Sequence, residues 1–239
     1  MRDVSTSLDM TTGKRRLLLF DIDGTLINSG GAGIRALKLA STEQFGIEED
    51  LQGIEIGGRT DSGIVRQILA KRGSPLSDEN VRMFLDKYVR YLTRELPLCN
   101  GRVLPGILEL LTRFQSRSDI TQGLLTGNIA RGARLKLEHY GLWKFFAFGA
   151  YADNHHDRNE LGAVACARAL EKTGWQFPPD RVDVIGDTGH DIACGKAIGA
   201  RTIAVATGSW SREKLAECQP DFLFDDLSKV EDVIATLEW

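Results

Sequence analysis

The sequence predicts an α/β protein, a doubly wound parallel sheet with a helical insert after its first strand. Three observations carry this. Short apolar runs recur along the chain, at Leu17–Ile22, Ile120–Leu125, Phe145–Tyr151, Val182–Ile185, Thr202–Ala206 and Phe222–Phe224. They lack polar alternation and are separated by helix-like segments, as expected of parallel strands buried on both faces. Between the first two runs, from about Gly31 to Cys99, three amphipathic helical stretches follow one another with no strand among them.

The first run ends in "DIDGT", Asp21 to Thr25, where a buried strand passes directly into two carboxylates. The insert then opens with a helix predicted over Gly33–Phe45. A second covers Thr60–Arg72 and is closed by Gly73, and a third covers Asp78–Leu96 after the N-cap candidate Ser77. In the third, Val81, Phe84, Leu85, Tyr88, Leu92 and Leu96 build one apolar face. At "GRVLPGILELL" the chain returns to the sheet, with Pro105 expected at the N1 position of a helix that buries Ile107, Leu110, Leu111 and Phe114. The predicted organisation is a lead-in at 1–14, a core at 15–30 and 100–239, and a helical insert at 31–99.

Composition narrows the function. At 239 residues, 42% apolar and 26% charged, the chain is an ordinary globular protein able to bury a full core. Thirty Lys and Arg against 33 Asp and Glu leave a net charge of −3 and no long single-sign run, which argues against nucleic acid or an anionic membrane as partner. Cys99, Cys166, Cys194 and Cys218 are dispersed and form no CxxC pair, so neither a zinc site nor a disulfide framework is expected. The first 14 residues are polar, without a signal-peptide core, and no apolar run has the length of a membrane span. The reading is a disordered lead-in on a cytoplasmic protein with a small-molecule substrate.

In an open parallel sheet the ligand site lies at the carboxyl ends of the strands. Asp21 and Asp23 follow the first strand. Thr126, Gly127 and Asn128 follow the second, in "GLLTGN". Arg158 comes after the third, and Asp187 and Asp191 come after the fourth, in "DVIGDTGHD". Four carboxylates crowded at one edge would repel one another without a cation, and all-oxygen ligation suits Mg²⁺. Such a site attracts a phosphate-bearing substrate.

This ordered set resembles the haloacid dehalogenase-like hydrolases, specifically members with a helical cap after the first motif. "DIDGT" is similar to their first motif, "LLTGN" to their second and "GDTGHD" to their acidic fourth. The resemblance implies a phosphatase in the manner of phosphoglycolate phosphatase, with Asp21 as the nucleophile that becomes an aspartyl-phosphate and Asp23 as acid and base. It implies that Thr126 binds the phosphoryl group with help from Gly127 and Asn128. Asp21, the Asp23 main-chain carbonyl and Asp187 are implied to hold Mg²⁺, with Asp191 orienting that shell. Most relatives place a lysine in the third motif; here Arg158, 29 residues before Asp187, takes the role. Lys144 and Lys172 are the competing cations.

Each residue also has a plainer reading. A lone Asp at a strand end is most often a turn or cap residue, and Arg158 alone could be a solvated helix residue. His155, His156 and His190 read as polar loop residues, and Trp143, Trp175 and Trp210 as packing or loop anchors. "GGAGIRA" matches a dinucleotide fingerprint weakly, but Asp21–Ser29 separates it from the strand, so a hinge into the insert is expected. In that insert, "IGGRTDSG" offers Arg59 to a substrate anion. A receiver-type signalling module, a dehalogenase and a hexose-phosphate mutase use related residues. The receiver splits its acids between strands, the dehalogenase needs no leaving-group acid, and the mutase differs mainly in the cap.

Overall fold

A computed structural model describes residues 15–153 and 157–239. The lead-in expected at 1–14, and His155 and His156, lie outside the described residues. Among those described, the strands are β1 (Arg16–Phe20), β2 (Ile27–Asn28), β3 (Arg102–Val103), β4 (Ile120–Leu125), β5 (Gly149–Ala150), β6 (Val182–Gly186), β7 (Arg201–Val205) and β8 (Phe222–Phe224). The helices are α1 (Ala32–Phe45), α2 (Asp61–Lys71), α3 (Asp78–Glu95), α4 (Ile107–Gln115), α5 (Ala130–His139), α6 (Asn159–Thr173), α7 (Gly189–Ala197), α8 (Arg212–Glu217) and α9 (Val230–Leu237).

Six strands form one sheet in the order β5-β4-β1-β6-β7-β8, every neighbouring pair parallel. All five β1 residues are buried, and their two faces supply different cores. Leu18 and Phe20 pack with α4, α5 and α9 through Leu110, Phe114, Leu137 and Val233. Leu17 and Leu19 pack with α6 and α7 through Leu161, Ala165 and Cys194. Two-sided burial is the reason the strand reads as a continuous apolar run. The chain moves outward from β1 through β4 and β5, then crosses to β6, β7 and β8 on the other side. The sheet is therefore doubly wound, with its switch point beside β1.

The helical cap after β1 has its own core of Ala36, Leu37, Val65, Ile68, Phe84, Tyr88 and Leu92. Thr60 and Ser77 cap α2 and α3, their hydroxyls accepting from the Gly63 and Asn80 amides. Gly31 opens α1 in place of a strand turn, so the glycine run is a cap entrance and no dinucleotide loop. A ribbon unforeseen from sequence closes the base of the cap: β2 and β3 pair antiparallel, Ile27 with Val103 and Asn28 with Arg102.

Three expectations need correction. The apolar run Phe145–Tyr151 is not one strand. A 3-10 turn takes Trp143–Phe145 and only Gly149–Ala150 joins the ladder, because Phe145 and Phe146 are drawn into the main core at the sheet edge. Pro105 is not at N1. Gly106, at φ 79, is the N-cap of α4, and the Leu227 backbone lies where a side chain on that residue would go. His190 is not in a loop but in the first turn of α7, 3.5 Å from Glu55 of the cap. The tryptophans anchor local structure: Trp175 lies under Arg15, Trp210 under Lys214, and Trp143 packs on the main core.

At the amino end of the sheet, opposite the site described below, Asp183 is fully buried on β6. It accepts from Arg16 at 3.1 Å, from Arg201 at 2.6 and 3.1 Å and from the Trp239 indole at 2.7 Å. Asp183→Ala leaves the buried Arg16 guanidinium without its carboxylate, and should lower unfolding free energy by about 3–5 kcal/mol. Urea unfolding measures this; a change below about 1 kcal/mol would show that the network adds no stability.

Candidate active site

The site gathers at the carboxyl ends of β1, β4 and β6. Asp21 follows β1 directly, and its amide still donates to Ile185 of β6 at 3.0 Å, which fixes the backbone on the sheet. The chain then turns tightly, with the Leu26 and Ile27 amides donating back to the Ile22 carbonyl at 2.9 and 3.0 Å. Gly24 makes the turn at φ 82, and a Cβ there would stand 2.6 Å from the Asp187 carboxyl carbon. Asp21 and Asp23, two residues apart, share a side by strand alternation, and the turn past Asp23 keeps both lining one cavity.

Asp187, just past β6, approaches the Ser209 amide at 3.4 Å and the Thr25 hydroxyl at 3.5 Å. Asp191 forms a capping box with Thr188, its Oδ2 accepting from the Thr188 amide at 3.0 Å and hydroxyl at 2.7 Å. One oxygen each from Asp21, Asp187 and Asp191 lies within 4.8 Å of the others, and all three residues are buried. Arg158, N-cap of α6 and also buried, places its guanidinium between two of them. It donates to Asp21 Oδ1 at 2.9 Å, to Asp191 Oδ1, and to the Gly58 carbonyl of the cap at 3.1 Å. Burial pushes the Asp21 carboxyl up to about 6; Arg158 opposes this, while Asp191 and Asp23 add to it. Asp187 is raised well above its ordinary value by burial, then by Asp191 and Asp21. Three buried acids facing one guanidinium have a charge deficit that a divalent cation would remove, and their all-oxygen donor set fits Mg²⁺.

A second cluster surrounds Asp23, whose side chain is 40% exposed. Its Oδ2 accepts from Lys136 Nζ at 2.6 Å and Asn128 Nδ2 at 2.9 Å. Asn128 also donates to Thr126 Oγ1 at 2.9 Å and accepts from Lys136 at 2.6 Å. Thr126 is completely buried. The cap reaches this cluster too. Asp61 accepts from the Ile129 amide at 2.9 Å, and its amide donates to the Gly127 carbonyl at 2.7 Å. A Cβ on Gly127 would stand 3.0 Å from the Arg59 carbonyl carbon, so glycine lets the cap backbone settle there. The Arg59 side chain turns outward, 47% exposed and donating to Glu55 at 2.9 Å, so a substrate anion would compete with Glu55 for it.

Sequence reading missed Lys136, Asp61 and Tyr88. Burial pushes the Asp61 carboxyl up to about 6 against Lys136 and the Ile129 amide, and it raises the Tyr88 hydroxyl further still, with Asp61 adding. Burial disfavours the Lys136 ammonium, but Asp23, Tyr88 and Asp61 outweigh it and hold the group above its ordinary range. The available signal was a lysine three residues after Ala133 and next to Leu137, on the buried side of α5. Both clusters open on one cavity of about 410 Å³, lined on the cap side by Ile34, Leu37, Ile56, Ile64 and Tyr88.

Fold and site together define a hydrolase. Residues 18–205 match the model of a family described as "Haloacid dehalogenase-like hydrolase". The chain belongs to that family. It is 28% identical over 220 residues to "Probable phosphatase IndB" of Dickeya dadantii, covering 90% of this chain and 91% of that protein. It is 23% identical to a phosphoglycolate phosphatase of Vibrio vulnificus, with 94% and 98% covered. A crystal structure of a hydrolase from Pseudomonas syringae superposes with a TM-score of 0.72 at 20% identity, over 93% of this chain and 99% of that one, a likeness of fold. No helix among the described residues is long and apolar enough to cross a membrane.

Proposed function

We propose that the protein is a Mg²⁺-dependent phosphatase that hydrolyses a small phosphorylated metabolite through an aspartyl-phosphate on Asp21. The observation that carries this is the pairing of two unlike carboxylates. Asp21 is buried against Arg158, and Asp23, two residues on, faces the cavity with Lys136 and Asn128 on one oxygen. A nucleophile and a proton carrier need these different settings. The phosphatase names among the relatives support the same reading.

In this reading the core is 15–30 and 100–239, and the cap, 31–99, excludes water and shapes the leaving-group pocket. The Asp21 carboxylate attacks phosphorus while Arg158 spreads the charge of the phosphoryl oxygens. The departing ester oxygen takes a proton from Asp23, and the alcohol leaves. Asp23, now a carboxylate, takes a proton from water as the water attacks phosphorus, releasing inorganic phosphate and restoring Asp21. Thr126 and the Gly127 amide bind phosphoryl oxygens, and Asn128 fixes both Thr126 and Asp23. Asp21, Asp187 and the Asp23 carbonyl would hold Mg²⁺, whose charge offsets that of the carboxylates and phosphate. Asp191, with both oxygens engaged, would orient Arg158 and the outer shell. A cavity of about 410 Å³ suits a compact substrate.

A panel of phosphate monoesters assayed with and without chelator tests the whole reading. Turnover of at least one aliphatic ester is expected with Mg²⁺, falling to background with chelator and returning when Mg²⁺ is restored. Substantial metal-free turnover would remove the mechanism, and isomerised sugar phosphate without free phosphate would make the protein a mutase.

A further inference from the structure

We infer that Lys136 is a positioning residue for the proton carrier Asp23, locking its carboxylate against the cap. The inference rests on the phosphatase reading. Lys136 comes from α5, well after the motif that carries Asp23, and its side chain is 5% exposed. Burying an ammonium is costly unless its donors are matched. Here they are matched, to Asp23 Oδ2 and Asn128 Oδ1 at 2.6 Å each, beside the buried Tyr88 side chain. Tyr88 belongs to cap helix α3, and Gly33 of α1 lies beside both groups, with 3.7 and 3.8 Å between its Cβ position and the Tyr88 oxygen and Lys136 nitrogen. One ammonium thus joins the catalytic acid to the Asn128 amide behind Thr126, and it lies against the cap.

The geometry gives Lys136 a task distinct from that of Arg158. Arg158 contacts Asp21 and Asp191, whereas Lys136 contacts Asp23. With Lys136 and Asn128 both on Oδ2, the carboxylate cannot rotate freely, and Oδ1 is left as the oxygen that meets the substrate. The hydrogen bonds of Lys136 run to Asp23 and Asn128 and those of Arg158 to Asp21 and Asp191, so Lys136 acts through Asp23 and Arg158 is the cation at the phosphoryl group.

The test compares two substrates in Mg²⁺: 4-nitrophenyl phosphate, whose phenolate leaves unaided, and the best aliphatic ester of the panel, whose alkoxide needs a proton. The constant kcat/KM reports the chemistry only through departure of the first leaving group. Asp23→Asn should lower it by ~10²–10⁴ for the aliphatic ester, and Lys136→Met by roughly 10–100-fold, each with less than about a fivefold loss for the aryl ester. The double variant should be no slower than Asp23→Asn alone, since Lys136 has nothing left to position. Inhibition by inorganic phosphate should be unchanged in Lys136→Met, and Lys136→Arg should recover part of the loss. Tyr88→Phe, which keeps both core contacts of Lys136, should show the same leaving-group bias at smaller size, and it serves if Lys136→Met does not fold. Equal losses on both esters, weakened phosphate inhibition, or independent effects of the two substitutions would overturn the inference. A wild type inactive on every ester would instead overturn the phosphatase reading beneath it.

Discussion

Asp21→Asn is expected to reduce kcat/KM for every phosphate ester, activated aryl esters included, by a factor on the order of 10⁴ or more. The amide has nearly the shape of the carboxylate, and its oxygen can still accept from Arg158, which donates to Asp21 Oδ1 at 2.9 Å. What the proposed mechanism then loses is the anionic oxygen that attacks phosphorus, and no leaving group, however good, compensates for a missing nucleophile. This separates the variant from Asp23→Asn, whose effect depends on the leaving group. Wild type quenched in acid during turnover should carry phosphate on the peptide containing Asp21, and Asp21→Asn should carry none. Aryl phosphate turnover within about tenfold of wild type in Asp21→Asn would place the nucleophile elsewhere.

Arg158→Ala should cost about 3–4 kcal/mol of transition-state stabilisation, roughly a hundredfold to a thousandfold in kcat/KM. Three groups lose a donor at once: Asp21, Asp191 and the Gly58 carbonyl. Two of them are buried carboxylates whose negative charge Arg158 otherwise balances. Arg158→Lys should recover only part, because one ammonium cannot span positions that a planar fork reaches together. Among the lysines weighed from sequence, Lys144 lies against the Phe145 ring at 5.2 Å, and Lys172 is in the last turn of α6, at the other end of the helix from Arg158. Alanine at either should leave kcat/KM within about threefold of wild type. Near-wild-type kinetics in Arg158→Ala, with a collapse in either lysine variant, would reassign the third motif.

The fold was legible wherever burial was two-sided. Leu17 to Phe20 is a continuous apolar run because both faces of the sheet are covered, and Ile120 to Leu125 and Val182 to Ile185, apolar apart from Thr121, Gln122 and Asp183, lie in the central strands beside it. Legibility failed at the sheet edge. Phe145 to Tyr151 has the same composition, yet β5 borders a strand on one side only, so the ladder holds two residues and the core takes the phenylalanines. Cap helices were readable from Thr60, Ser77 and the apolar face of α3, since caps and periodicity are local. The β2–β3 ribbon was not, because it joins segments about 75 residues apart through only two residues each.

The amino-acid sequence alone determined which chemistry is available here. Acidic, hydroxyl and guanidinium groups follow successive buried strands, and in a parallel sheet strand ends share one edge, so Asp21, Thr126, Arg158 and Asp187 had to come near one another. Tertiary structure alone decided how those groups are divided. It set Arg158 on Asp21 and Asp191, gave both Asp191 oxygens to Arg158 and Thr188, turned the Arg59 side chain toward Glu55, and brought Lys136 from the far end of α5 onto Asp23. The physical reason is range. Strand burial and capping depend on neighbours within a few residues, whereas the partner of a buried charge is chosen by which helices pack over it. Asp23 and Lys136, 113 residues apart, are joined only when the cap and α5 close on the same edge of the sheet.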